Sequence, residues 1–145
     1  MRAVVQRVSE ARVVVDSESV GEIGPGLCVL LGVAREDDAA AAERLAGRVA
    51  RLRIFENDQG KFDRSVLDMS GAVLVVSNFT LIADTARGNR PSFSDAAEPV
   101  QAELPYESFC TSLRELGVRV ETGAFGARMR VELVNDGPVT VVLEA

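Results

Sequence analysis

Histidine is absent from all 145 residues, and lysine occurs once, at Lys61. These gaps exclude a Ser-His-Asp or Cys-His nucleophile, a histidine general base and any histidine-ligated metal. A Schiff base or a Ser-Lys mechanism could use only Lys61, which sits in the turn-like run Asn57-Asp58-Gln59-Gly60-Lys61, where an ordinary solvated turn accounts for it. The two cysteines, Cys28 in an apolar run and Cys110 in a helical pattern, have neither metal-ligand spacing nor the arithmetic of a disulfide framework, so both are expected to be buried thiols. There is no glycine-rich phosphate loop and no nucleophile elbow. Asp63, Asp68 and Asp84 have no spacing that sets two carboxylates on one face. Long apolar runs are also missing. The stretch from Ile23 to Ala34 is too short to span a membrane, and no long apolar region follows Arg2 and Arg7 as in a signal peptide, so a cytoplasmic protein is expected.

What is present suits one domain over residues 1–145, long enough to bury roughly two-thirds of its unfolded surface. The net charge of -6 would ordinarily count against a nucleic-acid partner, because phosphate contacts need cations. Its distribution weakens that objection. Residues 35–94 hold nine basic and nine acidic residues, whereas residues 95–145 hold four basic and nine acidic, so a basic face can exist on an acidic protein. Arg44, Arg48 and Arg51 recur at i, i+4 and i+7 on one helical face, with Leu45, Val49 and Leu52 on another.

Along the chain, residues 3–8, 11–16, 20–23 and 27–33 read as strands, with a turn at Gly24-Pro25-Gly26. Asp37 and Asp38 are placed to cap a helix to about Arg51, with acidic residues in its first turn. Residues 53–55 and 72–76 read as strands, the second delivering Ser77-Asn78-Phe79-Thr80-Leu81 at its end. The stretch from Asp84 to Ser94 reads as a long surface loop. A helical region capped by Ser94 or Asp95 is expected to be interrupted at Pro105 and to resume from Tyr106 to Leu116, ending at Gly117. Strands over 118–121, 128–134 and 139–143 follow, the last two separated by Asn135-Asp136-Gly137-Pro138, whose proline is expected to break the ladder. Strands outnumber helices. The expected fold is a layered α/β domain of β/β/α type, with mostly antiparallel strands in barrel-like sheets and two main helices. Two helices cover only part of such a sheet, which predicts a homodimer.

Two segments stand out: Ser77-Asn78-Phe79-Thr80-Leu81 and Asn135-Asp136-Gly137-Pro138-Val139-Thr140. Together they resemble the signature pair of the D-aminoacyl-tRNA deacylase family, a Ser-Gln-Phe-Thr-Leu segment and an Asn-x-Gly-Pro-x-Thr segment. The resemblance extends through Met1 to Val8, Gly21 to Gly24, Ala83 to Thr85, Arg87 to Ser94 and Thr122 to Phe125, and so covers essentially the whole chain. Asn78 stands where the family commonly has glutamine, the same amide one methylene shorter.

The resemblance implies hydrolysis of the ester joining a D-amino acid, or glycine, to the 3′ end of tRNA, without metal or cofactor. Phe79 and Thr80 would form the catalytic centre through their backbone amides, and Ser77, Asn78, Gly137 and Pro138 would bind substrate. Thr80 as a covalent nucleophile would need a neighbouring base, and none is evident. By the same resemblance the Gly137-Pro138 bond is cis and reaches into the other subunit's pocket, leaving no room for an L side chain. Arg7 would brace the Gly-Pro carbonyls, and Met129 would pack near the proline. Read without the resemblance, Arg7 is a surface ion pair and Met129 ordinary core. The other function open at this point is a non-catalytic dimeric module binding RNA or a small ligand. Arg87, Arg90 and the three helical arginines are the residues available to touch RNA.

Overall fold

The computed structural model describes every residue from Met1 to Ala145. The two short strands expected at the N-terminus are one long strand, β1 (Arg2–Val15), followed by β2 (Glu18–Ile23) and β3 (Gly26–Gly32). Continuity follows from pairing. β1 serves β3 with Arg2 to Val8 and β2 with Ala11 to Val15, while β8 (Arg130–Glu144) runs along its other edge. The minor pair β4 (Phe55–Glu56) and β5 (Phe62–Arg64) forms a separate two-stranded sheet. β3, β6 (Ala72–Ser77) and β7 (Arg119–Thr122) are parallel neighbours, so the main sheet is mixed.

The helices lie on one face. α1 (Ala39–Arg51) starts where the Asp38 carboxylate accepts from the Ala41 amide at 2.9 Å. The first turn itself carries no acid, because Asp37 turns back to accept from the Ala34 amide at 2.7 Å. Ala42, Leu45, Ala46 and Val49 recur at helical spacing and are fully buried. α2 (Pro99–Glu115) is a single helix that runs through Pro105, against the expected interruption. A proline inside a helix costs about 3 kcal/mol. Burying Tyr106, Phe109 and Leu113 in the following turns outweighs that, at roughly 1.5 to 3 kcal/mol for each large side chain.

Two cores result. Ala3, Val5, Leu27, Val29, Leu31, Val73 and Val75 pack under the helices. Val8, Ala11, Val13, Cys28, Leu74 and Val76 pack in a second core, to which Met129, Val131 and Leu133 add. The pairing of β1 with β8 shifts register around Val8, and this turns the second half of β1 toward the second core. The sheet thereby folds over itself into the two β layers of the expected architecture. β2 closes against β7 at Gly21, where a Cβ would lie 2.2 Å from the Thr122 carbonyl oxygen, so only glycine permits the approach. Nearly closed, the sheet is barrel-like. No helix is long and apolar enough to cross a membrane.

β8 is one continuous strand, but its ladder with β1 is interrupted at the Gly-Pro pair, as expected. Gln6 pairs with Thr140 and Val8 with Asn135, so Asp136, Gly137, Pro138 and Val139 all stand opposite the single residue Arg7. Proline is tolerated because it sits in a bulge where the ladder asks for no amide proton. The Asn135 side chain closes the base of that bulge, donating to the Val139 carbonyl at 2.9 Å and accepting from the Val139 amide at 3.0 Å.

Candidate active site

β6 ends at the lip of an apolar cleft. The Asn78 amide donates to the Leu31 carbonyl at 2.8 Å, the last rung of the parallel ladder, and the chain then tightens into a 3-10 turn over Phe79–Ile82. Leu81 donates back to the Asn78 carbonyl at 3.3 Å, but the amides of Phe79 and Thr80 lie ahead of the first acceptor the turn can offer and have no partner within the chain. Both residues are exposed. The turn is held from behind: Arg2 Nη1 donates to the Leu81 carbonyl at 2.7 Å while its Nε donates to Glu144 at 2.9 Å. Gly32 leaves room for it, since a Cβ there would meet Leu81 at 3.0 Å. Arg2 had no sequence signal, because its role depends on a contact across 79 positions.

Thr80 Oγ1 donates a short hydrogen bond to the amide oxygen of Asn78. An amide is no base, so nothing here activates that hydroxyl. The contact also gives the shorter Asn78 side chain a definite partner and leaves its NH2 group free.

The cleft measures about 630 Å³. Leu30 and Val76 form its floor, Ser77 and Asn78 its polar edge, and Phe125 and Met129 one wall. Phe79 and Phe93 meet edge to face at its lip, with ring centres 5.1 Å apart. Glu98, at the start of α2, is the one charged side chain on the lining. Phe93, Phe125 and Glu98 were not singled out in the sequence, although the first two lie in segments that the family resemblance covers.

Gly137 and Pro138 do not line this cleft. Within one chain the order β6, β3, β1, β8 sets the two motifs three strand spacings apart sideways, about 14 Å, and the bulge is level with Val73, about 13 Å further along β6 from Ser77. Their bond is cis, and both residues are exposed at the tip of the bulge. Arg7 is 8% exposed and so not a surface ion pair. Its Nε donates to the Asp136 carbonyl at 2.8 Å, one residue before the expected Gly-Pro carbonyls, and its Nη1 donates to the Ile54 carbonyl at 2.9 Å. Glu56 and Asp136 carboxylates approach at 3.7 Å, and the Phe62 ring lies 5.7 Å from the guanidinium. Met129 lines the Ser77 cleft, apart from its own chain's proline.

The remaining titratable groups are structural. A hydrogen bond from Arg53 holds Asp63 below the usual carboxylate range, the Ser65 backbone amide does the same for Asp68, and Asp84 accepts from the Ala86 amide at 2.9 Å. Each of the three carboxylates is thus taken up by a donor of its own. Burial pushes the Cys28 and Cys110 thiols up from 9.0 to about 11. Their contribution to stability is complete below about pH 9 and is lost as pH climbs through about 11. Iodoacetamide at pH 7 is therefore expected to label neither thiol in native protein and both after denaturation, read by mass spectrometry; native labelling would show that the cores open.

Comparison with known proteins matches the chain to tRNA deacylases. The model of the D-Tyr-tRNA(Tyr) deacylase family matches residues 4–144. The D-aminoacyl-tRNA deacylase of Symbiobacterium thermophilum is 59% identical over 145 residues, covering 100% of this chain and 96% of that one. That of Deinococcus radiodurans is 58% identical over 144 residues, covering 99% of each. Among solved structures, one of a c-Myc DNA unwinding element binding protein superposes with a TM-score of 0.94 at 44% identity, covering 100% of this chain and 99% of the other. Another, of a probable eukaryotic D-amino acid tRNA deacylase, gives 0.81 at 17% identity over 99% and 98% of the two chains, and speaks to the fold alone. This chain belongs to the D-Tyr-tRNA deacylase family.

Proposed function

We propose that the protein is a cytoplasmic D-aminoacyl-tRNA deacylase that hydrolyses the ester linking a D-amino acid, or glycine, to the terminal ribose of tRNA. The observation that carries the mechanism is the pair of unpartnered amides at Phe79 and Thr80, exposed at the polar edge of an apolar cleft. A water oxygen bonds to the ester carbonyl carbon, and negative charge develops on the carbonyl oxygen, where the two amides receive it. The bond to the ribose oxygen then breaks, and one proton of the water goes to the ribose, which leaves as a free hydroxyl, while the other passes to solvent as the amino acid leaves as its carboxylate. Donors aimed at developing charge act without reorganising, which is the largest single contribution in many acyl transfers. An aminoacyl ester is already activated and a neighbouring ribose hydroxyl can assist, so no metal or cofactor enters this reading.

Selectivity requires a second copy of the chain. The Gly137-Pro138 bulge is exposed and remote from the cleft of its own chain, while Val142, 56% exposed on β8, begins an apolar row through Val4 and Leu30 to Val76 on the cleft floor. A partner laid on this face would cover the row and carry its own Gly137 and Pro138 into the cleft. Their carbonyls would capture the substrate amino group and leave no space for an L side chain. Glycine, with no side chain, would escape rejection.

The direct test is release of amino acid from D-tyrosyl-, L-tyrosyl- and glycyl-tRNA by chelator-treated protein, with sedimentation in parallel. Loss of the D and glycyl esters with the L ester intact, from a species of twice the 15.5 kDa chain mass, is the expected result. A folded dimer that binds tRNA and hydrolyses none of the three would instead indicate the non-catalytic module. Thr80→Val, which removes the hydroxyl and keeps the amide, is expected to lower kcat less than about tenfold; loss of a covalent nucleophile would cost several orders of magnitude.

A further inference from the structure

The arm between Asp84 and Ser92 takes no part in the chemistry above. At its root Asp84 and Ser92 exchange two backbone hydrogen bonds of 2.8 Å, and the Asp84 carboxylate is turned inward to the Ala86 amide. The next residue, Phe93, seats in the cleft against Phe79. The arm is thus fixed to the lip of the cleft at one end and stands in solvent at the other.

Arg87 and Arg90 lie toward its tip, both exposed. Neither makes an ion pair or a side-chain hydrogen bond within the chain. Arg2, Arg7, Arg12, Arg53, Arg64 and Arg119, by contrast, each reach a carboxylate. From Thr85 to Ser94 the chain carries these two arginines and no acid, within a protein of net charge -6. A local excess of unpaired guanidinium groups suits bidentate binding of phosphate oxygens. On the basic face of α1 Arg44 is also unpaired, but Arg48 and Arg51 donate to the carbonyls of Glu144 and Gly47, and Glu43 shares the patch.

Building on the deacylase reading, we propose that Arg87 and Arg90 form a clamp for the phosphates of the single-stranded 3′ end of tRNA, gripping the strand where it leaves the cleft across the Phe79-Phe93 lip. The clamp binds the backbone and reads no base, so it holds any tRNA terminus regardless of its amino acid.

The test compares wild type with the Arg87→Gln/Arg90→Gln double variant. Binding of uncharged tRNA is followed by anisotropy from about 50 to about 200 mM salt, and turnover is measured on D-aminoacyl-tRNA and on a D-aminoacyl-adenosine ester that lacks the strand phosphates. Each single-strand phosphate contact contributes about 0.7 to the slope of log K against log salt. The variant is expected to lose about 1.4 from that slope for two contacts, to raise KM for the tRNA ester about tenfold or more at the low-salt end, and to turn over the adenosine ester as wild type does. An unchanged slope would overturn the clamp, as would an equal loss on both esters, which would locate the arm's action inside the cleft. The same slope change carried instead by Arg44→Gln/Arg48→Gln would transfer the contact to α1 and also overturn it. The anisotropy slope is read whether or not any ester is hydrolysed, so failure of the clamp and failure of the deacylase reading are distinct results.

Discussion

Proline in place of Phe79 is expected to deacylate D-aminoacyl-tRNA about a hundredfold or more slowly than alanine at the same position. Both substitutions remove the ring at the cleft lip, and only proline removes the amide proton. The site accepts proline: Phe79 is the first residue of the 3-10 turn, where the amide has no acceptor and a φ near -65° is already required. The preceding residue, Asn78, is extended at φ -145 and ψ 91, a conformation open to a residue before proline. Removing one oxyanion donor costs roughly a hundredfold to a thousandfold in kcat. Equal rates for Phe79→Pro and Phe79→Ala, with unchanged thermal stability, would remove the Phe79 amide from the mechanism and leave Thr80 as the only backbone donor.

The second large effect is at Arg7, where Arg7→Ala is expected both to destabilise the fold and to release L-aminoacyl-tRNA from rejection. The guanidinium joins three elements by donating to Ile54 just before β4 and to Asp136 in the β8 bulge. Leaving the Ile54 carbonyl unsatisfied costs about 1 to 3 kcal/mol, and loss of the Asp136 contact and of packing on Phe62 adds to it. A total near 3 kcal/mol would lower Tm by roughly 6 to 12 °C. The bulge would then be held by Asn135 alone. A thousandfold preference corresponds to about 4 kcal/mol, which a rigid wall supplies and a loose one does not. The ratio of D to L turnover should fall at least tenfold, with glycyl-tRNA hydrolysis changing less, and Arg7→Lys should recover part of the stability through one donor. Undiminished L rejection despite the lower Tm would confine Arg7 to folding.

Much of this architecture is legible in the sequence. Alternating apolar residues marked the strands, Asp38 marked the start of α1, and Cys28 and Cys110 were placed in the interior by their apolar neighbours. Pro105 was not legible in this way. Local propensity treats proline as a break, and the β8 ladder is indeed interrupted at the Gly-Pro pair, but α2 runs through Pro105 because the turns beyond it bury Tyr106 and Phe109. Arg7 was legible only by resemblance and then one carbonyl out of place, since its partner depends on how many residues of β8 stand opposite it.

The sequence by itself determined the inventory of chemistry: there is no histidine, and the one lysine sits in a turn, so histidine-based nucleophile activation is excluded, and the Ser77 to Leu81 and Asn135 to Thr140 segments named the family. These are properties of residue type and order, which no folding changes. Only the tertiary structure decided that the amides of Phe79 and Thr80 lie unpaired and exposed, that Arg2 holds their turn in place, and that Gly137 and Pro138 stand on a bulge away from their own cleft. Each depends on which backbone groups the strand register and the 3-10 turn leave without partners, and that is settled by contacts between residues far apart in the chain.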